Sequence, residues 1–192
     1  MTIRCVSLLI LCVFCAAGCV HSISPVYTKS DTVEEPGLVG TWTSGKPDEQ
    51  DDTVLVAKAS NDPYKVTMHD SKSGNDAVYE THLIKLNGTS FADLLLVGLR
   101  HGSDEIELPI GVEPLHQIVK YKLEGDDLQF WGISGDAFEH AAKQPGFPLQ
   151  FKMTEEEHGD ALLTSSTEQI RLYLTAHPSE IFGQPDHLKR KK

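Results

Sequence analysis

From residue 38 onward, apolar and polar positions alternate with the period of two that belongs to β-strands. Residues 53–57 are short and β-branched, and residues 64–69 alternate cleanly, putting Tyr64, Val66 and Met68 on one face. A longer run over 77–86 leads through Asn87-Gly88 into 91–97. Asn-Gly between two such runs is the strongest short-range hairpin signal, because both residues tolerate positive φ. A second hairpin is predicted from 119–123 through Gly125-Asp126 to 128–133, and two further strands at 149–153 and 161–164.

Helical spacing is rarer. Residues 135–143 predict a short helix stopped by Pro145-Gly146. Near the C-terminus, Ser165 with Glu168 three residues later has the form of a capping box. Ile170, Tyr173, Leu174 and His177 then share one face, and Pro178 limits the helix. Eight or nine short strands, one helical interruption and a terminal helix predict an antiparallel barrel or sandwich, not a parallel sheet.

The first residues have another character. Arg4 is followed by an uncharged run over 6–17, too short for the roughly 20 residues a membrane span needs. It ends in Ala16-Ala17-Gly18-Cys19. The pattern fits a cleaved export signal, and the cysteine after Gly18 resembles the lipobox of bacterial lipoproteins. That resemblance implies a signal peptide over 1–18 and an acylated Cys19 as the first mature residue, with palmitate-type chains holding the protein to a membrane. Val20 stands where aspartate would suggest inner-membrane retention, so the resemblance favours the outer membrane of the cell envelope if the organism has one. The other cysteines, Cys5, Cys12 and Cys15, leave with the signal. A mature chain with only Cys19 forms no internal disulfide, so its core must hold it together.

Residues 19–36 are rich in Ser, Pro, Asp and Glu and are expected to be the lipidated cysteine and a tether, reaching roughly 55 Å if extended at about 3.3 Å per residue. Residues 37–183 form the expected domain, and 184–192, ending in Lys189-Arg190-Lys191-Lys192, read as a solvated basic tail. Such a tail could attract anionic headgroups weakly. The formal charge of −11, nearer −12 once Arg4 is removed, argues against a nucleic-acid partner.

Gly40-Thr41-Trp42, preceded by Leu38, resembles the Gly-x-Trp of lipocalins, whose tryptophan plugs one end of a ligand-holding barrel. The pattern through Phe182, including Phe91-Ala92-Asp93-Leu94, is similar to that of uncharacterised lipocalin-like bacterial lipoproteins. The chain has Leu38 where lipocalins usually carry asparagine, and no Thr-Asp-Tyr motif. The resemblance implies a mainly-β fold: an antiparallel lipocalin-like barrel or half-barrel of about eight strands, with a short internal helix and a C-terminal helix. It implies a small apolar or amphipathic ligand as one partner. A filled barrel whose surface meets another envelope protein is the alternative.

An eight-stranded barrel holds either side chains or one small ligand. Candidate ligand-lining residues are Tyr64, Met68, His82, Asp93, Tyr121 and Trp131; Val66, Phe91, Leu95 and Phe130 are further inward candidates. Aromatics and methionine are also ordinary core residues. Asp93 and His82 stand out as polar positions within apolar strands, where a buried carboxylate needs a partner.

No catalytic motif emerges. Gly132-Ile133-Ser134-Gly135 approaches a nucleophile elbow, but the glycine falls one residue early. The mature histidines lack paired ligand spacing, and His101, Asp104, Glu105 and Glu107 match no calcium loop. The expectation is a non-enzyme without metal or cofactor.

Overall fold

The computed structural model describes residues 20–44, 52–58, 63–102, 104–106, 115–155 and 160–192. Signal and lipobox residues, Cys19 included, lie outside them. The described chain is mainly β, with strands β1 (Val20–Ser22), β2 (Gly40–Thr43), β3 (Thr53–Lys58), β4 (Tyr64–Asp70), β5 (Asn75–Leu86) and β6 (Thr89–His101). There follow β7 (Asp104–Ile106), β8 (His116–Glu124), β9 (Asp127–Gly132), α1 (Gly135–Ala142), β10 (Phe151–Glu155), β11 (Asp160–Leu163), α2 (Thr167–Ala176) and β12 (Asp186–Arg190).

Eight of these strands close into an antiparallel barrel in the order β8-β9-β12-β2-β3-β4-β5-β6, with β6 returning to β8. This is consistent with a lipocalin-like barrel. The seam is made by Ser90↔Tyr121 through Leu95↔His116. Closure removes the exposed strand edges that would otherwise pair with other chains. Outside the barrel, β1 pairs with β8 and runs parallel to β11, which in turn pairs with β10.

Both predicted hairpins form. Asn87 (φ 45°) and Gly88 (φ 85°) turn β5 into β6, and Gly125 (φ 62°) turns β8 into β9. The α2 cap is shifted by one residue. Ser166 accepts from Gln169 N while Gln169 Oε1 accepts from Ser166 N. Ser165 is instead buried, its hydroxyl accepting from Gln150 N at 2.7 Å.

Two segments expected to be loose are folded. The tether region includes β1, and Val26 is fully buried. The basic tail is β12, the strand that joins β9 to β2 and so completes the barrel. Both readings rested on polar composition, which does not register backbone pairing with distant strands.

Strand alternation creates two cores. Inside the barrel, Leu38, Trp42, Tyr64, Tyr79, Leu83, Leu94, Tyr121, Leu128 and Phe130 pack together. Outside it, Ile84, Leu86, Phe91 and Ile118 meet β1, β11, α1 and α2 through Val20, Leu163, Phe138, Ile170 and Leu174. Phe138 meets Phe147 and Phe151 edge to face in this second core.

Candidate functional site

Inward-facing residues line up across the sheet, because directly opposed residues in antiparallel strands share a face. One row runs Trp42, Val54, Met68, Ala77, Leu99. The next runs Val56, Val66, Tyr79, Leu96, and a third Tyr64, Thr81, Leu94. Barrel strands tilt against the axis, so these rows climb from a closed end to a rim.

The closed end is built around Trp42, which is fully buried, its indole Nε1 donating to Leu38 O at 2.8 Å. A short 3-10 turn at Pro36–Leu38 supplies that carbonyl and lays Leu38 across the barrel end. Glu35 N donates to Tyr64 Oη at 2.8 Å, tying the incoming chain to the interior. Arg190 lies over the Trp42 ring, 4.2 Å from its centroid, and donates to the carbonyls of Val39 and Gly37. Gly40 is the residue this approach demands: its φ is +142°, and a Cβ there would stand 2.5 Å from Arg190 Nη1. The glycine of Gly-x-Trp thus has a steric reason in this chain. Burial pushes the Tyr121 hydroxyl up to about 12, with Glu35 and Tyr64 adding to the shift against a hydrogen bond to Ser90.

The opposite end differs. β5 and β6 run past the end of β8: Leu95 is the last β6 residue paired with it, and Leu99 lies four residues beyond. There Met68, Leu96 and Leu99 are half-buried against the interior cluster, as Val33, Leu123 and Leu188 are elsewhere along it. Thr81, between Tyr79 and Leu83 on the inward face of β5, is buried with no hydrogen-bond partner for its hydroxyl.

The six candidate lining residues divide evenly. Tyr64, Met68 and Tyr121 face the barrel interior. His82, Asp93 and Trp131 do not: each occupies the alternate position and points to the outer wall, as Phe91 does. Asp93 and His82 are direct cross-strand partners there. His82 stacks on Tyr27, ring centroids 3.7 Å apart, with Nε2 3.2 Å from Glu80 Oε1. Desolvation, helped by Asp93 and Glu80, holds the Tyr27 hydroxyl above its ordinary range. Trp131 lies beneath Lys120, whose Nζ is 4.5 Å from its ring, and desolvation lowers that amine.

Asp93 is nearly inaccessible at 1% exposure, and both its oxygens are engaged. Oδ1 is 2.6 Å from His116 Nδ1, and Oδ2 accepts from Val26 N at 2.6 Å. His116 is the partner that sequence reasoning missed. Its signal was alternation, since His116, Ile118 and Lys120 share the outer face of β8. The pair positions the N-terminal segment against the barrel wall.

Ser134, from the near-elbow sequence, is the N-cap of α1 and accepts from Ala137 N. His101 Nδ1 lies 2.7 Å from Asn75 Oδ1, while the side chains of Asp104, Glu105 and Glu107 lie outside the described residues. Among the described residues, no group of three or more His, Cys, Asp or Glu is placed to hold a metal ion, and no helix is long and apolar enough to cross a membrane.

No protein-family model, curated protein sequence or solved structure matches this chain. The functional reading therefore rests on the chain's own geometry.

Proposed function

We propose that this protein is an exported lipoprotein, anchored to the cell envelope by lipid on Cys19, whose barrel receives a small apolar or amphipathic ligand. The observation that carries the binding half is the closed eight-stranded barrel, with half-buried Met68, Leu96 and Leu99 packed against its interior cluster. Concave sites with apolar walls and few polar groups are what small-molecule binding requires. The lipid-anchor half rests on the Ala16-Ala17-Gly18-Cys19 sequence.

A second reading has its own support. Trp42, Tyr64, Tyr79, Leu83, Tyr121 and Phe130 already fill the lower barrel, which favours a non-catalytic domain that contacts another envelope protein through its surface. Native mass spectrometry of residues 20–192, passed through a bacterial envelope extract, separates the two. A reproducible adduct of lipid or metabolite mass that is lost on denaturation is the expected result. An unliganded mass across several extracts would overturn the carrier reading in favour of the filled-barrel one.

A further inference from the structure

The inner wall of the barrel holds an unsatisfied hydroxyl. Thr81 lies on β5 between Tyr79 and Leu83 and opposite Tyr64 and Leu94, all four members of the interior cluster. It is 2% exposed, and its Oγ1 has no hydrogen-bond partner among the described residues. A buried hydroxyl in that state costs the fold free energy, and valine fills the same strand position without the cost.

Thr81 belongs to a polar row. Direct cross-strand pairing carries it to Tyr64 on one side and through Leu94 to Gln117 on the other. Gln117 shares the inward face of β8 with Val119 and Tyr121, since His116 and Ile118 face outward. Its Nε2 donates to His21 Nε2 at 3.3 Å, and the amide keeps Oε1 as an acceptor. Burial lowers the His21 imidazole, against an opposing pull from Asp160, which leaves it neutral and able to accept that bond. Exposure rises along the row: Thr81 and Leu94 are buried, Gln117 and His21 half-buried. The inward positions flanking it, Tyr79, Leu83, Ala92 and Val119, carry no charge. Burial holds the Tyr79 phenol above its ordinary range, so it stays protonated.

Given the carrier reading, on which this rests, we infer that the barrel's ligand is an uncharged amphiphile with a hydroxylated head, and that Thr81 and Gln117 hydrogen-bond that head across Leu94. An ionised head would lie in this row without a cation to pair with, which apolar surroundings penalise heavily. Thr81 and Gln117 sit two strands apart, roughly 10 Å between backbones at about 4.8 Å per strand. A glycerol head suits that span: one hydroxyl meets Thr81 Oγ1 and a second donates to Gln117 Oε1.

Displacement of the apolar dye N-phenyl-1-naphthylamine from residues 20–192, which hold every described strand and helix, tests this. 1-Monolauroylglycerol is expected to displace the dye at lower concentration than ionised laurate. Thr81→Val is expected to weaken monolauroylglycerol about tenfold, the scale of one hydrogen bond, with dye affinity nearly unchanged. Thr81→Ser should keep most of the affinity, and ligand-free Thr81→Val should melt no lower than the parent. Unchanged monolauroylglycerol binding by Thr81→Val, or laurate bound as tightly by the parent, would overturn the head-group inference and leave the carrier reading standing. A Thr81→Val that melts well below the parent would show the hydroxyl already bonded within the fold, and would also overturn it. Parent protein that takes up neither the dye nor, by native mass spectrometry, either lipid would overturn the carrier reading itself.

Discussion

Arg190 lies over the Trp42 ring, 4.2 Å from its centroid, and the two residues join the last barrel strand to the first. The guanidinium also reaches the carbonyls of Gly37 and Val39 and pairs with Asp126 at 3.0 Å. One side chain thus ties β12, the β8–β9 turn and the 3-10 turn at the closed end. Arg190→Ala is expected to cost about 2–3 kcal/mol, the combined scale of a cation–π contact and charge-assisted hydrogen bonds. Urea unfolding measures it. Arg190→Lys should recover only part, since an ammonium cannot span the same fork.

Gly40 makes room for that guanidinium. Gly40→Ala meets both a φ of +142° and the 2.5 Å approach of Arg190 Nη1, so a loss of about 1–3 kcal/mol is expected from backbone strain alone. A variant as stable as the parent would mean that residue 40 does not hold this positive φ.

Deleting residues 184–192 distinguishes a strand from a tail. Removing β12 exposes the edges of β9 and β2, and open edges invite pairing with other chains. The truncated protein is expected to aggregate or lose its cooperative thermal transition. An unchanged melting curve would restore the reading of a solvated tail.

Asp93 holds the N-terminal segment through Val26 N and His116. Asp93→Ala leaves both groups without their buried acceptor, a loss of about 1–3 kcal/mol for each polar group left unsatisfied. Amide exchange at Val26 should become fast while β4 and β5 stay protected. Uniform exchange across the barrel would show that the segment and barrel unfold together.

Alkaline pH is the expected chemical weakness. Tyr121 is raised to about 12 by burial, and burial also raises Tyr79, while burial and Glu180 raise Tyr173. A raised phenol favours the protonated fold, so its contribution is complete below the unfolded value near 10 and is lost as pH climbs towards about 12. Phenolate absorbance should rise together with loss of β-structure above pH about 10. Full tyrosine ionisation in an intact barrel would contradict these burials.

The legible part of the fold was the part governed by neighbours in sequence. Asn87-Gly88 and Gly125 specified their hairpins, and alternation in 64–69 correctly turned Tyr64, Val66 and Met68 inward. Alternation in β6 pointed equally to both sides, since Phe91 and Ala92 are each buried, in different cores. A second core on the outer wall makes both faces of β5 and β6 apolar, which erases the contrast that assigns a facing. Phe91, Leu95, His82 and Asp93, expected inside, face the outer wall for that reason.

The amino-acid order alone determined the strand-rich domain, its two tight turns, the Gly-x-Trp start and the terminal helix, because each depends on contacts within a few residues. Tertiary structure alone decided that residues 20–36 and 186–190 belong to the body. Those segments carry little apolar surface of their own and are held by partners far away in the chain: Val26 by Asp93 and Arg171, Lys189 and Arg190 by Asp126, Asp127 and the 3-10 turn. Backbone hydrogen bonding to a distant strand leaves no trace in local composition, so a polar stretch reads as loose until its partners are in place.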